Sequence, residues 1–368
     1  VNAVFIVPTG LGADIGGHAG DAGPAVRLIA SLVDILITHP NAVNASDINE
    51  MPDNVWYVEG ILLDRFLWGD VKLKRLASHN KILVATNSPV GNNLINSVSA
   101  ARSTLGAEIA IVELKTPLQL VGSIDNMRAG GTVKGWKELV VQVSEIDFDA
   151  LAIVSVIEVH EDVALAYLRG EGGPNPWGGV EAIASKLISD KLNKPVAHAP
   201  IESGVLKTFQ DIVDPRMAAE MVSISYIHSV LKGLHRAPIP CDAGLGSDDI
   251  SVLISPIGCF GEPHEICDEY GIPIIFVKEN VLESSVDVPQ KSTHLIVANY
   301  WEAAGVLACM NASVNVRSVR RPLNPTLVIN SEYYESHADR IWFEVDKVYE
   351  TRWDCIGERV APVWRIAA

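Results

Sequence analysis

The chain has 368 residues, 48% of them hydrophobic and 20% charged, enough to bury a large core and long enough for two domains or one large one. Twenty-nine basic against forty-five acidic side chains give a formal charge of −16, which repels phosphate backbones and anionic membranes unless basic groups are concentrated locally. The nearest approach to a basic patch is Arg317, Arg320 and Arg321, so nucleic acid is not an expected partner, whereas a cationic pocket for one small anion is compatible with this balance.

Arg27 and Asp34 interrupt the best apolar run, so no transmembrane helix and no membrane partner are expected. The first residues carry no basic segment ahead of an apolar stretch, and no secretory signal is expected within this numbering. Cys241, Cys259, Cys267, Cys309 and Cys355 are scattered and form no CxxC pair, which points to a reducing cytoplasm.

In chain order, Val4 to Val7 reads as a buried strand and Gly23 to Leu36 as a helix. Between them Thr9 to Pro24, TGLGADIGGHAGDAGP, holds six glycines, two aspartates and a histidine. Glycines such as Gly12, Gly16 and Gly17 let backbone N–H groups approach a ligand, and a following helix start adds unsatisfied donors and a positive dipole end. The spacing matches neither the dinucleotide fingerprint nor the phosphate loop. An anionic or polar small molecule suits such a loop. His18 and Asp21 here, with His39, Asn44 and Asp47 in THPNAVNASD, put oxygen and nitrogen ligands at two successive strand ends. A divalent metal is one use for His18, Asp21, His39 and Asp47, although no HExxH spacing is present; capping and turn bonds are the other.

Further strands are expected at Ile82 to Ala85, Ile109 to Val112, Leu151 to Val156, Val252 to Ile254, Ile274 to Val277 and Leu295 to Ala298. Helical periods run over Asn93 to Leu105, Lys134 to Val143, Gly178 to Leu192, Pro215 to Leu234 and Glu302 to Met310. Strand and helix in alternation predict an α/β fold of mainly parallel sheets flanked by helices. The Gly/Pro-rich stretch Gly170 to Gly179 suggests a boundary, giving units over 1–170 and 171–330 and a C-terminal extension over 331–368; Asn175 and Trp177 within it serve either a ligand or the anchoring of the loop.

KILVATNSPVGNN (Lys81 to Asn93) is echoed by DISVLISPIGCFGEP (Asp249 to Pro263): an apolar strand, Ser-Pro-aliphatic-Gly, then a helical pattern. Two related Rossmann-like units around a cleft follow from this echo, because ligands in open α/β sheets gather at the carboxyl ends of strands. The ligand-contact candidates are Asn87, Ser88 and Asn92 in the first turn, and Ser255 and Gly258 in the second. Ser, Asn, Pro and Gly are equally the residues of plain turns. Cys259, ahead of a helix start, has the setting of a reactive thiolate, with Glu262 or His264 as its acid or base; a buried inert thiol is the bland alternative. His198 to Gly204, HAPIESG, ends another strand and brings Glu202 and Ser203 to the same edge.

In the phrases VPTGLGADIGGHAGDAGP, ITHPNAVNASDIN, NPWGGVEA and SPIGCFGEPHE the chain resembles an uncharacterised family, labelled only as a domain of unknown function, of cyanobacteria and photosynthetic eukaryotes. The resemblance spans nearly the whole chain and implies a cytoplasmic or plastid-stromal setting, without an activity to carry over. The residues themselves lead to an enzyme acting on a small anionic or polar metabolite in an interdomain cleft, by metal-assisted hydrolysis or elimination. The other reading is a non-catalytic metabolite- or nucleotide-binding regulator. In both, a homo-oligomer is expected.

Overall fold

The computed structural model describes residues 1–6, 10–18, 20–39, 51–58, 60–201, 211–222, 226–289, 291, 293–323 and 326. Strand β1 (Asn2–Phe5) leads through the glycine-rich loop to α1 (Gly23–Ala30), β2 (Ile35–Thr38) and β3 (Val55–Tyr57). Helix α2 (Gly60–Leu67) and β4 (Lys72–Lys74) precede β5 (Lys81–Asn87), α3 (Asn92–Leu105) and β6 (Glu108–Leu114). Then come β7 (Gln119–Asp125), β8 (Arg128–Lys134), α4 (Trp136–Val143), β9 (Ala150–Ser155), β10 (Ile157–Glu158) and α5 (Glu161–Leu168). Beyond the Gly/Pro stretch lie α6 (Gly178–Leu192), β11 (Val196–Pro200), α7 (Pro215–Val222), α8 (Tyr226–His235) and β12 (Ile239–Cys241). The last are β13 (Val252–Pro256), α9 (Glu262–Tyr270), β14 (Ile274–Val277), β15 (His294–Val297) and α10 (Tyr300–Asn311).

The fold is α/β, built on two parallel sheets. Six strands pair in parallel in the order β15-β14-β13-β1-β2-β3. Numbered within the sheet, that is 3-2-1-4-5-6, the doubly wound order whose switch point lies between its first and fourth strands. Four strands form a second parallel sheet, β11-β9-β5-β6, with its own reversal between β5 and β9. Both sheets are covered by helices, so central strands read as unbroken apolar runs; all six residues of β9 are buried.

The second sheet is inserted between the third and fourth strands of the first. A cut at residue 170 therefore separates neither sheet from the other: β11 pairs with β9 across it, and β13 returns to β1. Pairing partners this far apart leave no local mark in the sequence, which is why composition suggested the Gly/Pro stretch instead. The C-terminal extension at 331–368 lies outside the described residues.

The echoed segments occupy matching places. β5-α3-β6 and β13-α9-β14 are both parallel βαβ units, and β5 and β13 each border the switch point of their sheet. Each helix ends on a left-handed glycine, Gly106 at φ 67° and Gly271 at φ 69°, the backbone that a residue without Cβ adopts at least cost. The helix expected over Gly23 to Leu36 is shorter. It stops at Ala30, and Ile35–Thr38 pairs with β1, because an apolar run this short takes the state its partner offers.

One buried cluster, including Phe5, Val26, Leu36, Val84, Ala152 and Leu231, runs through both sheets. At about 1.5–3 kcal/mol for each large apolar side chain withdrawn from water, it binds the two units into one packed body.

Candidate functional site

The glycine-rich loop leaves β1 beside β13, at the switch point of the first sheet, and is stitched on both sides. On one side it pairs with the chain after β14. Ala13 forms an antiparallel bridge with Leu282, and the N–H groups of Asp14, Glu283 and Ser284 donate to the carbonyls of Val281, Gly12 and Leu11 at 2.9, 3.0 and 3.1 Å. Fully buried Asn280 accepts from Ile15 N–H and donates to Ile15 O, both at 2.9 Å, and donates to the Tyr300 hydroxyl at 2.8 Å. Gly12 has φ +65°, and a Cβ there would lie 2.9 Å from Glu283 Cγ. At Gly17 it would lie 2.1 Å from the carbonyl oxygen of Ala13. Gly16, between them, also has a positive φ of 92°.

On its other side the loop meets the inserted unit. Ala129 N–H of β8 donates to Gly10 O at 2.9 Å. His18 Nδ1 lies 2.5 Å from the Tyr167 hydroxyl, and that phenol packs edge-on against Trp177 with ring centroids 5.7 Å apart. Arg216 Nη1 donates to Asp14 O at 3.2 Å, and its Nε donates to Asp214 Oδ1 at 3.0 Å. Burial, aided by the Arg216 guanidinium and opposed by Asp214, presses His18 down to about 4, so its imidazole is neutral at pH 7. Asp21 holds both carboxylate oxygens out of contact with water, and its charge reaches Arg216 and Tyr300.

The second Ser-Pro turn borders the same region. Val286 N–H donates to Gly258 O at 2.8 Å, and Arg128 Nε donates to Ser284 Oγ at 3.0 Å. A cavity of about 360 Å³ lies against this turn, lined by Ile257, Gly258, Phe276, Leu282, Ser285 and His294 among others.

The expectation of a reactive Cys259 with His264 as its base is corrected here. Cys259 is 7% exposed, and burial pushes its thiol up to about 11, the direction that removes nucleophilicity. Its place two residues before the N-cap of α9, Gly261, does not offset that. His264 Nδ1 accepts from Gly261 N–H at 3.2 Å, which leaves Nε2 to donate to Ser255 Oγ at 2.9 Å. An imidazole in that tautomer cannot take the serine's proton. Burial presses it to about 4, and Ser255 is wholly buried. The pair ties the end of β13 to the first turn of α9.

The first Ser-Pro turn stays within its own unit in the bonds it makes. Asn87 donates to Leu118 O at 2.9 Å and accepts from Leu118 N–H at 2.8 Å. Ser88 Oγ donates to Glu113 at 3.2 Å, and Asn92 is exposed at the start of α3. These are turn bonds, and none of them joins the glycine-rich loop.

The proposed metal set lies only partly within the described residues. Among the described residues no three His, Cys, Asp or Glu side chains are grouped to hold an ion. His18 spends Nδ1 on Tyr167, His39 is pressed by burial to about 4, and Asn44 and Asp47 lie outside the described residues, as do Glu202 and Ser203.

Sequence reading missed a buried relay at the carboxyl edge of the second sheet. His198 on β11 places Nδ1 2.9 Å from Glu181 Oε1 and Nε2 2.9 Å from Ser155 Oγ. A carboxylate only accepts, so Nδ1 carries a proton, and in the neutral imidazole Ser155 then donates to Nε2. The tautomer is that of a general base, the reverse of His264, but Ser155 is 2% exposed. The three side chains tie together the end of β9, the middle of β11 and the first turn of α6. The histidine in HAPIESG is the local signal of this cluster, while its partners Glu181 and Ser155 lie seventeen and forty-three residues away.

The chain belongs to the family described as protein of unknown function, DUF3326, whose pattern matches residues 2–320. It is also similar to an uncharacterised lipoprotein of Synechococcus sp., 32% identical over 339 residues, with 86% of this chain and 92% of that protein covered. The family resemblance carried by the four phrases is thus shown. No helix among the described residues is long and apolar enough to cross a membrane.

Proposed function

We propose that this protein is an enzyme that binds a small anionic or polar metabolite where the glycine-rich loop meets the inserted unit, with His18 as its proton-transfer group. One observation carries the reading: the loop leaves β1 at the switch point of a doubly wound sheet and joins the second unit there through Gly10, Asp14 and His18. Helix α1 follows with no side-chain cap; Gly23 N–H is spent on Gly20 O and Pro24 has none, so the helix start supplies little for an anion and the arginines of the facing unit must bind it. Arg128 and Arg216 are exposed on the facing unit. A neutral imidazole held by a phenol on Nδ1 keeps Nε2 for substrate, and an anionic substrate beside it raises the imidazole from about 4 toward the working range of an acid–base group; hydrolysis and elimination are the reactions proposed.

A thermal-shift screen of nucleotides, sugar phosphates and carboxylic acids tests the reading. One class is expected to stabilise the protein, by about 2.7 kcal/mol at a hundred times its Kd. His18→Gln should keep that stabilisation and lose turnover, whereas Arg216→Ala should weaken it. Stabilisation untouched by Arg216→Ala, or turnover that survives His18→Gln, overturns the assignment.

The quenched state of Cys259 and His264 favours a second reading, a regulator that binds the same ligand without turnover. Stabilisation by a ligand that is recovered unchanged selects it. For location we propose the cytoplasm or plastid stroma, supported by free thiols at Cys241, Cys259, Cys267 and Cys309. The Synechococcus relative carries the name lipoprotein, so cell fractionation, with recovery in the membrane pellet, is the result that would reverse this. A homo-oligomer is proposed on the 79% exposed Trp301 and is read by light scattering.

A further inference from the structure

We infer that the cavity between β3 and the C-terminal turns of α3 and α8 is a second binding site, for a small metabolite bearing a phosphoryl or carboxylate group. This cavity of about 400 Å³ is lined by Arg75, Lys232, His235 and Arg236, with Asp53 as the one carboxylate among its lining residues. In a chain of charge −16 three cations, Arg75, Lys232 and Arg236, beside one carboxylate are an outlier, while burial and the charges of His79 and Arg236 press His235 below its ordinary value. The C-terminal turns of two helices each contribute roughly half a negative charge, which offsets part of the excess and leaves the cavity positive.

The cations are held in place before any ligand arrives. Arg75 donates through Nη1 to Asp53 O and through Nη2 to Val55 O, and its guanidinium lies 5.5 Å over the Trp56 ring. Arg236 Nη1 donates to Asp53 Oδ1 at 3.0 Å. His235 stacks on His79 with centroids 5.4 Å apart and planes 20° from parallel. Two buried nitrogens lack a partner among the described residues, Arg75 Nε and His235 Nδ1. A buried polar atom left unpaired costs about 1–3 kcal/mol, and an oxyanion seated against the guanidinium is an acceptor for Arg75 Nε. Burial and the repulsion of Arg236 press Arg75 to about 10 against the pull of Asp53, the strain that a bound anion relieves. Tyr57, Met51 and Leu105 provide an apolar wall for the body of such a molecule.

The test uses the full chain, with inorganic pyrophosphate and citrate as probes at constant ionic strength. Binding is followed by calorimetry and by the imidazole resonances of the histidines. One probe is expected to bind and to shift His235. The double change of half-buried Lys232→Gln and exposed Arg236→Gln should weaken it about tenfold or more, the equivalent of one charge-assisted hydrogen bond, without lowering the melting temperature. His18→Gln, at the other site, should leave it unchanged. Pyrophosphate preferred over citrate marks a phosphoryl ligand, and the reverse a carboxylate. Failure of both probes to move His235, or binding that survives the double change, overturns the inference and leaves the reading at His18 standing.

Discussion

His198 donates from Nδ1 to Glu181 Oε1 at 2.9 Å, and this single bond fixes which proton the buried imidazole carries. Because the neutral His198 then accepts from Ser155, both ring nitrogens are satisfied in a buried position. Glu181→Ala should leave the Nδ1 proton unpaired and cost about 1–3 kcal/mol. Glu181→Gln keeps an amide oxygen at that position and should cost less. Urea unfolding of the two variants measures the difference, and equal loss in both would mean that the carboxylate's charge matters more than its oxygen.

Stability should fall on mild acidification. His264 is held near 4 against an ordinary 6.5, so between those values the unfolded chain binds a proton that the folded chain does not. The contribution is complete above pH 6.5 and is lost as the pH falls toward 4; for His264 it amounts to about 2 kcal/mol by pH 5. His18 and His39 move the same way. In His264→Asn the drop between pH 7.5 and 5 should shrink by roughly that amount. An unaltered drop would place the acid sensitivity elsewhere.

The buried thiols should be chemically silent. Burial pushes Cys259 to about 11 and Cys267 to about 12, while Cys241 and Cys309 are partly exposed. Brief alkylation of the native protein, read by peptide mass spectrometry, should label Cys241 and Cys309 ahead of the other two. Labelling of Cys259 first would restore the nucleophile reading that its position after Ser-Pro-Ile-Gly invited.

That contrast shows what local sequence carries. The two Ser-Pro echoes correctly marked strand ends beside switch points, because Pro, Gly and an apolar run are a local geometry written in consecutive residues. What the side chains do there was not legible, since it depends on partners far along the chain. His264 is disarmed by the backbone of Gly261 and the burial of Ser255, and His198 is defined by Glu181, seventeen residues away. The nested order of the sheets escaped for the same reason. The hairpin β7–β8 left a weak mark, the alternation in QLVGSID and the turn at Asn126-Met127, both at positive φ, which a reading centred on long apolar runs passed over.

The glycine-rich loop should depend on Asn280 more than on its own glycines. Asn280 accepts from Ile15 N–H and donates to Ile15 O and to Tyr300, so its amide uses both an oxygen and an NH₂ group in a fully buried position. Asn280→Ala removes these bonds and strands the Ile15 amide and carbonyl, at about 1–3 kcal/mol for each buried group left unpaired. Asn280→Asp is the sharper probe. Its carboxylate still accepts from Ile15 N–H but sets a second oxygen against Ile15 O, and burying that charge adds a further penalty. Asp should therefore be at least as damaging as Ala despite its equal size, and amide exchange over residues 10–18 should rise in both variants before global unfolding does. If the Asp variant kept the loop protected, the two-way amide clamp would not be what holds the proposed site together.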